Sequence, residues 1–176
     1  DRIRERMERE SRISRLGSSE LAYFLLSFRA LSDNLRLDVR VDERLSLEGS
    51  EEERQRMARA VIGLVEAVRS RAARGAETGN TLRLDFRRGE EGLELRLEFA
   101  GETADEEGLR REWDRALAGA GRIRAFWRHG GKGGEDGPAA ERSRAGSGEV
   151  APEAGPVRKQ PGWSAEVVFP CRRKAE

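Results

Sequence analysis

The chain has 176 residues, 36% hydrophobic and 38% charged, with a formal net charge of +1. That length bounds it to one domain with an appended helix or tail, and so even a charge balance singles out no polyanionic or polycationic partner. The single cysteine, Cys171, excludes an intrachain disulfide framework. No apolar run reaches the ~20 residues that span a bilayer, and no signal peptide is visible, so the expected compartment is the cytoplasm. The first residue, Asp1, leaves room for an upstream sensor or membrane segment. Lys132, Lys159 and Lys174 are the only lysines, so 31 of the 34 basic residues are Arg. Arg suits bidentate phosphate contacts. Acidic residues are interspersed with the arginines, including around Arg69, Arg71 and Arg74, so no basic stripe for nucleic acid stands out.

Residues 1–16 are highly charged, with sparse apolar positions at Ile3, Met7, Ile13 and Leu16, a pattern that suits a solvated helix or weak coiled coil. Gly17-Ser18-Ser19 marks a break. Leu21, Phe24, Phe28, Leu31 and Leu35 then recur at steps of three and four. This seam fits two uses, packing on the domain's own core or a homodimer through Leu21, Phe24, Phe28 and Leu31. Leu37, Val39 and Val41 alternate with polar residues and predict a strand, and Leu45 and Leu47 suggest a second short one.

The longest clean helical period runs from Ser50 to Gly75. Met57, Val61, Leu64, Val65, Val68 and Ala72 form its apolar face. Ser50 and Glu53 make a capping box, and Gly75 is a fitting stop. Leu82, Leu84 and Phe86, then Leu93, Leu95, Leu97 and Phe99, alternate strictly and predict a hairpin with one buried face. Leu109, Trp113 and Leu117, and later Ile123, Phe126 and Trp127, suggest one or two helices separated by Gly119 and Gly121. Residues 129–162 are rich in Gly, Pro, Ser, Glu and Arg and are expected to form a flexible loop, mobile over 132–160. Trp163, Ala165, Val167 and Phe169 give a last strand, and 171–176 are a polar tail.

The expected fold is α+β: a two-layer sandwich of a mixed β-sheet with helices on one face, plus an N-terminal helix over 1–35. The order of strand pair, long helix, hairpin, helix, glycine-rich loop and final strand over about residues 37–170 resembles the ATP-binding domain of histidine kinases, in the GHKL ATPase superfamily. The resemblance implies a domain over 36–170 and a place in bacterial two-component signalling. It also implies a nucleotide site at Gly63, Ala67, Phe99, Gly101, Gly119 and Gly121. In VIGLVEAVRS, Gly63 and Ala67 stand where the family carries two asparagines four apart, the second holding Mg²⁺. In LRLEFAGET, Phe99 stands where the family carries the Asp that binds adenine, and Gly101 is kept. GAGRIRAFWRHGG is similar to the family's Gly-x-Gly, helix, His-Gly-Gly run, with Gly119, Gly121, His129, Gly130 and Gly131 corresponding. The ending PGWSAEVVFP resembles the family's last strand.

The residues that would do chemistry are mostly missing. Ala67 has no oxygen for a metal, and Phe99 cannot accept from an adenine amino group. Glu66 lies about 100° around the helix from Ala67 and is read as a solvated or structural residue. HGGKGG, with Lys132, lacks the spacing of a P-loop and reads as plain loop. His129 has no second histidine for a metal cluster and no visible base or nucleophile partner. Trp113, Trp127 and Trp163 read as core or core-edge anchors rather than a stacking platform. Two functions follow from the resemblance. One is a degenerate, non-enzymatic signalling module that works through a protein partner and binds no cofactor. The alternative is a nucleotide-binding or active kinase domain holding ATP with magnesium through non-standard contacts. A nucleic-acid module is disfavoured by the charge pattern.

Overall fold

A computed structural model describes residues 2–31, 34–45, 49–73, 79–129 and 161–171. Alternation decides the sheet. Leu82, Leu84 and Phe86 lie on one face of β2 (Thr81–Arg88), and Leu93, Leu95, Leu97 and Phe99 on the same face of β3 (Gly92–Ala100); all are buried. The two strands pair antiparallel as predicted, Leu84 opposite Leu97 and Leu82 opposite Phe99. β1 (Arg36–Val41) lies parallel to β2 at one edge. β5 (Gly162–Pro170) pairs antiparallel with β3 and carries β4 (Arg122–His129) at the other edge. The strand order is β1-β2-β3-β5-β4, one mixed five-stranded sheet.

The helices cover the apolar face. α3 (Glu51–Arg71) presents Val61, Leu64, Val65 and Val68 to it, all fully buried. Each such side chain contributes about 1.5–3 kcal/mol by leaving water. Ser50 caps α3 by accepting from the Glu53 amide at 3.2 Å. The helix ends four residues before the predicted Gly75, which lies outside the described residues. Ala72 is already extended, and Ala73 donates to the Glu102 carbonyl at 2.8 Å, so the loop after β3 captures the chain as it leaves the last turn.

α1 (Arg2–Ser14) and α2 (Ser19–Leu31) precede the sheet, and Gly17 between them has φ +70, a turn that favours glycine. The seam of α2 is turned inward. Leu21, Leu25 and Phe28 are buried in the chain's own core, and Phe24 meets Phe28 edge-on at 5.8 Å. Leu21 and Phe28 therefore serve intrachain packing and offer no surface to a second copy. The side chain of Leu31 lies outside the described residues.

Two predicted elements need correction. Leu45 is buried but stands in no strand, and Leu47 lies outside the described residues. Residues 122–129 are a strand, β4, with no helix before His129. The cause is a bulge: Ile123 opposes Val167 and Ala125 opposes Glu166, so one residue is extra. It places Ile123 and Phe126, three apart, on the same face, which in sequence imitates a helical step. The predicted mobile loop over 132–160, with Gly130, Gly131 and Lys132, lies outside the described residues, as does the tail after Cys171.

The other face of the sheet is a lattice of charges. Arg83 bridges Asp38 (3.4 Å) and Glu98 (3.8 Å), and Arg124 bridges Glu94 and Glu166, each at 2.9 Å. Hydrogen bonding from Arg124, with help from Arg87, holds the Glu94 carboxyl below its usual range. A carboxyl whose folded pKa is depressed stabilises the fold at pH above its unfolded value, and that stability is lost as pH falls through the folded one. Asp85, on the same face, is pushed the opposite way by burial and the nearby Glu98, so its contribution is present at low pH and lost as pH rises. Glu94→Gln should therefore lower the urea midpoint at pH 7 and cost little well below pH ~4, where both forms are neutral. Equal losses at both pH values would remove the Arg124 pair as the cause.

Candidate functional site

The six positions singled out by sequence fall into three places. Ala67 and Phe99 lie in the interior, and the half-buried Gly63 lies beside them where α3 meets α4 (Glu106–Leu117). α4 packs along α3. Gly63 makes that approach close: a Cβ there would sit 2.9 Å from the Ala116 Cβ. Ala67 is buried, one position before Val68 on the face that meets the core. Phe99 is buried and stacks on Trp163 at 5.3 Å, 21° between planes.

That contact belongs to an aromatic cluster. Trp163 also stacks on Phe126 at 5.4 Å and receives Trp113 edge-on at 5.1 Å. Trp113 is fully buried, and its indole N–H donates to the Leu64 carbonyl at 3.2 Å, tying α4 to α3. Arg110 lies over the Phe126 ring at 5.0 Å. The indole N–H of Trp163 has no partner among the described residues. Trp113 and Trp163 are thus core anchors, as read from sequence, while Trp127 is half-buried under Arg96 on the charged face.

Gly101 lies at one end of the sheet and Gly119 and Gly121 at the other. Gly101 follows the Ala100–Gly162 pair, and its amide donates to the Pro161 carbonyl at 2.8 Å. Gly121 sits against Val168 and Phe169, near the Gly92–Pro170 pair. At roughly 3.4 Å per residue these ends are about 20 Å apart. The six positions therefore do not converge on one ligand. Gly119 and Gly121 instead serve the turn from α4 into β4: Gly119 has φ +76, and a Cβ on Gly121 would meet the Val168 carbonyl at 2.6 Å. That turn, with Met57, Leu93 and Phe169, borders a cleft of about 180 Å³ at the start of α3.

Polar groups at the Gly101 end are structural. Arg71, at the end of α3, donates to Glu112 of α4 at 2.8 Å and lies 3.9 Å from Asp105. The Glu112 hydrogen bond raises the Arg71 pKa and lowers that of Glu112. Asp105 has φ +50 and caps α4 by accepting from the Gly108 amide at 3.0 Å. Asn80 is buried with its side chain bonded to three backbone groups. No periodicity announced Asn80 or Arg71; a lone Asn before a strand and an Arg at a helix end are common. Glu66 is half-exposed and pairs with Arg69 at 2.6 Å, a structural use. His129 shares a hydrogen bond with Ser164, whose hydroxyl is buried and so closed to a substrate.

The fit to Mg²⁺ with ATP, held as the resemblance implies, is poor. A methyl stands at the metal position and a packed phenyl at the adenine position. Among the described residues no cluster of three or more His, Cys, Asp or Glu is placed to hold a metal ion, and no helix is long and apolar enough to cross a membrane.

No protein-family profile matches the chain, and no curated protein sequence matches it. Solved structures do. The blue-light activated histidine kinase of Erythrobacter litoralis EL346 superposes with a TM-score of 0.51 at 11% identity, covering 85% of this chain and 40% of that one. The Acinetobacter baumannii histidine kinase AdeS gives 0.48 at 11% identity, over 90% of this chain and 64% of that one. The catalytic domain of histidine kinase ThkA gives 0.47 at 13% identity, over 90% and 92%. The chain thus spans well under half the length of the blue-light kinase. At such identity the likeness speaks of fold: the chain has the GHKL-like fold of the histidine-kinase ATPase domain.

Proposed function

We propose that this chain is a regulatory module on a kinase-derived fold, acting in bacterial two-component signalling through contacts with a protein partner and without phosphoryl transfer. The observation that carries the reading is the seat of Phe99: it stacks within the Trp163–Trp113–Phe126 cluster, where a nucleotide of the implied kind needs a carboxylate acceptor. Ala67 supports it, being buried and without an oxygen for a metal. Phosphoryl transfer is catalysed by positioning and by neutralising charge on the phosphates, so a site that holds neither the metal nor the base has little to offer it.

Each unmade buried hydrogen bond costs on the order of 1–3 kcal/mol, so at about 2 kcal/mol each, two such losses weaken a micromolar site by roughly three orders of magnitude. Calorimetric titration with millimolar ATP and Mg²⁺ should accordingly give no saturable heat. A dissociation constant tighter than about 100 µM, or about −5.5 kcal/mol, would overturn the reading and favour a nucleotide-binding kinase domain with non-standard contacts.

A further inference from the structure

Among the described residues, β1 is an edge strand paired on one side alone. Arg36 and Asp42 donate their amides to β2, to the Asn80 and Phe86 carbonyls, each at 2.9 Å. In a parallel ladder alternate residues face the same neighbour. The amides and carbonyls of Leu37, Val39 and Val41 therefore point away from β2, and no described strand pairs with them.

That free edge borders a groove of about 520 Å³. Leu37 and Val39 form its strand side and Leu25, Leu26 and Ile13 its apolar lining; Arg2, Arg6 and Arg9 line it together with Glu5, Glu10 and Asp38, the last paired with Arg40 and Arg83. Leu26 is 43% exposed there, and the large exposed hydrophobics among the described residues, Ile3, Met7, Tyr23 and Leu26, all lie on α1 and α2. Arg6 is paired with Glu10 at 3.1 Å, but Arg2 and Arg9 have no ion pair among the described residues, against one unpaired carboxylate, Glu5. The opposite edge differs. β4 is bulged and carries Arg122, Arg124 and Arg128, features that discourage strand addition.

We infer that the β1 edge is the partner-binding surface, and that its occupant is an extended acidic segment of another protein, adding a strand beside β1. Open backbone groups supply the main-chain hydrogen bonds, the exposed Leu26 surface takes apolar side chains, and Arg2 and Arg9 meet acidic residues. This deepens the protein-contact reading and rests on it; the nucleotide titration decides that reading separately.

The test uses the full chain, isotope-labelled, and a blocked nonapeptide of alternating valine and glutamate. Saturable shifts should appear at the Leu37, Val39 and Val41 amides. Val39→Pro removes an outward donor while leaving the β2 ladder its bonds, and should weaken binding about tenfold, the factor that ~1.4 kcal/mol represents. Leu26→Glu should weaken it as well, by placing a charge in the lining without disturbing the core. Protection of the Asp38 and Arg40 amides shows that each variant is folded. Shifts confined to another surface, unchanged binding by both folded variants, or no shifts at millimolar peptide would overturn the assignment. So would a wild-type dimer in sedimentation that Val39→Pro dissolves, which gives the edge to a second copy.

Discussion

Trp113→Ala should cost about 3–5 kcal/mol, the range for deleting a large buried aromatic. Trp113 is fully buried and joins three parts of the fold: it meets Trp163 and Phe126 edge-on, and its N–H bonds the Leu64 carbonyl of α3. Against a total of about 5–15 kcal/mol, that is a fifth or more of the stability of an ordinary domain. Calorimetry should show a melting temperature lower by about 6–20 °C, at 2–4 °C per kcal/mol for a chain of this size. Trp113→Phe separates the parts of the effect, keeping a ring and losing the hydrogen bond, which alone contributes about 1 kcal/mol. If Trp113→Ala costs less than about 1 kcal/mol, α4 is not anchored to α3 as described, and the packed interior on which the functional reading stands would fall with it.

The parts of this fold legible in sequence are those where one face is buried along a regular element. β2 and β3 alternate cleanly, β5 keeps Trp163, Ala165, Val167 and Phe169 on its buried face, and α3 keeps its stripe because Met57 to Val68 pack in the core. β4 was illegible because a single extra residue changes the phase of its pattern. The use of the α2 seam was illegible for a different reason. Leu21 and Phe28 have the spacing that any buried helix face requires, and spacing does not say which surface covers it. The candidate site was legible only as a list of positions. Gly63 packs at the α3–α4 contact and Phe99 in the interior, whereas Gly119 and Gly121 shape a turn about 20 Å from Gly101, at ~3.4 Å per strand residue. Glycine in sequence marks backbone freedom or close approach, and does not say to what.

The junction around Asn80 holds the Gly101 end together, and two substitutions there should be coupled. The Asn80 amide donates to the Ala73 carbonyl at 2.8 Å and the Asn34 carbonyl at 3.2 Å, and its oxygen accepts from the Glu102 amide at 3.2 Å. One side chain thus ties the entry to β1, the exit of α3 and the loop leading to α4. Asn80→Leu keeps the volume and strands three backbone groups, for a loss on the order of 3–5 kcal/mol. Gly101 has φ +138, and a Cβ there would lie 2.0 Å from the Asn80 oxygen. Gly101→Ala should then cost on the order of 1–3 kcal/mol from the backbone alone, plus whatever the displaced Asn80 bonds contributed. In the double variant Asn80→Ala/Gly101→Ala the clash has no partner, so only the backbone strain of Gly101→Ala remains. The pair should fall short of the sum of the single losses by about 0.5–3 kcal/mol, the range for residues in contact. Urea unfolding of the wild type, Asn80→Ala, Gly101→Ala and the double variant closes the cycle. Additivity within about 0.5 kcal/mol would mean that Gly101 is needed for its backbone angle and not for the room it leaves Asn80.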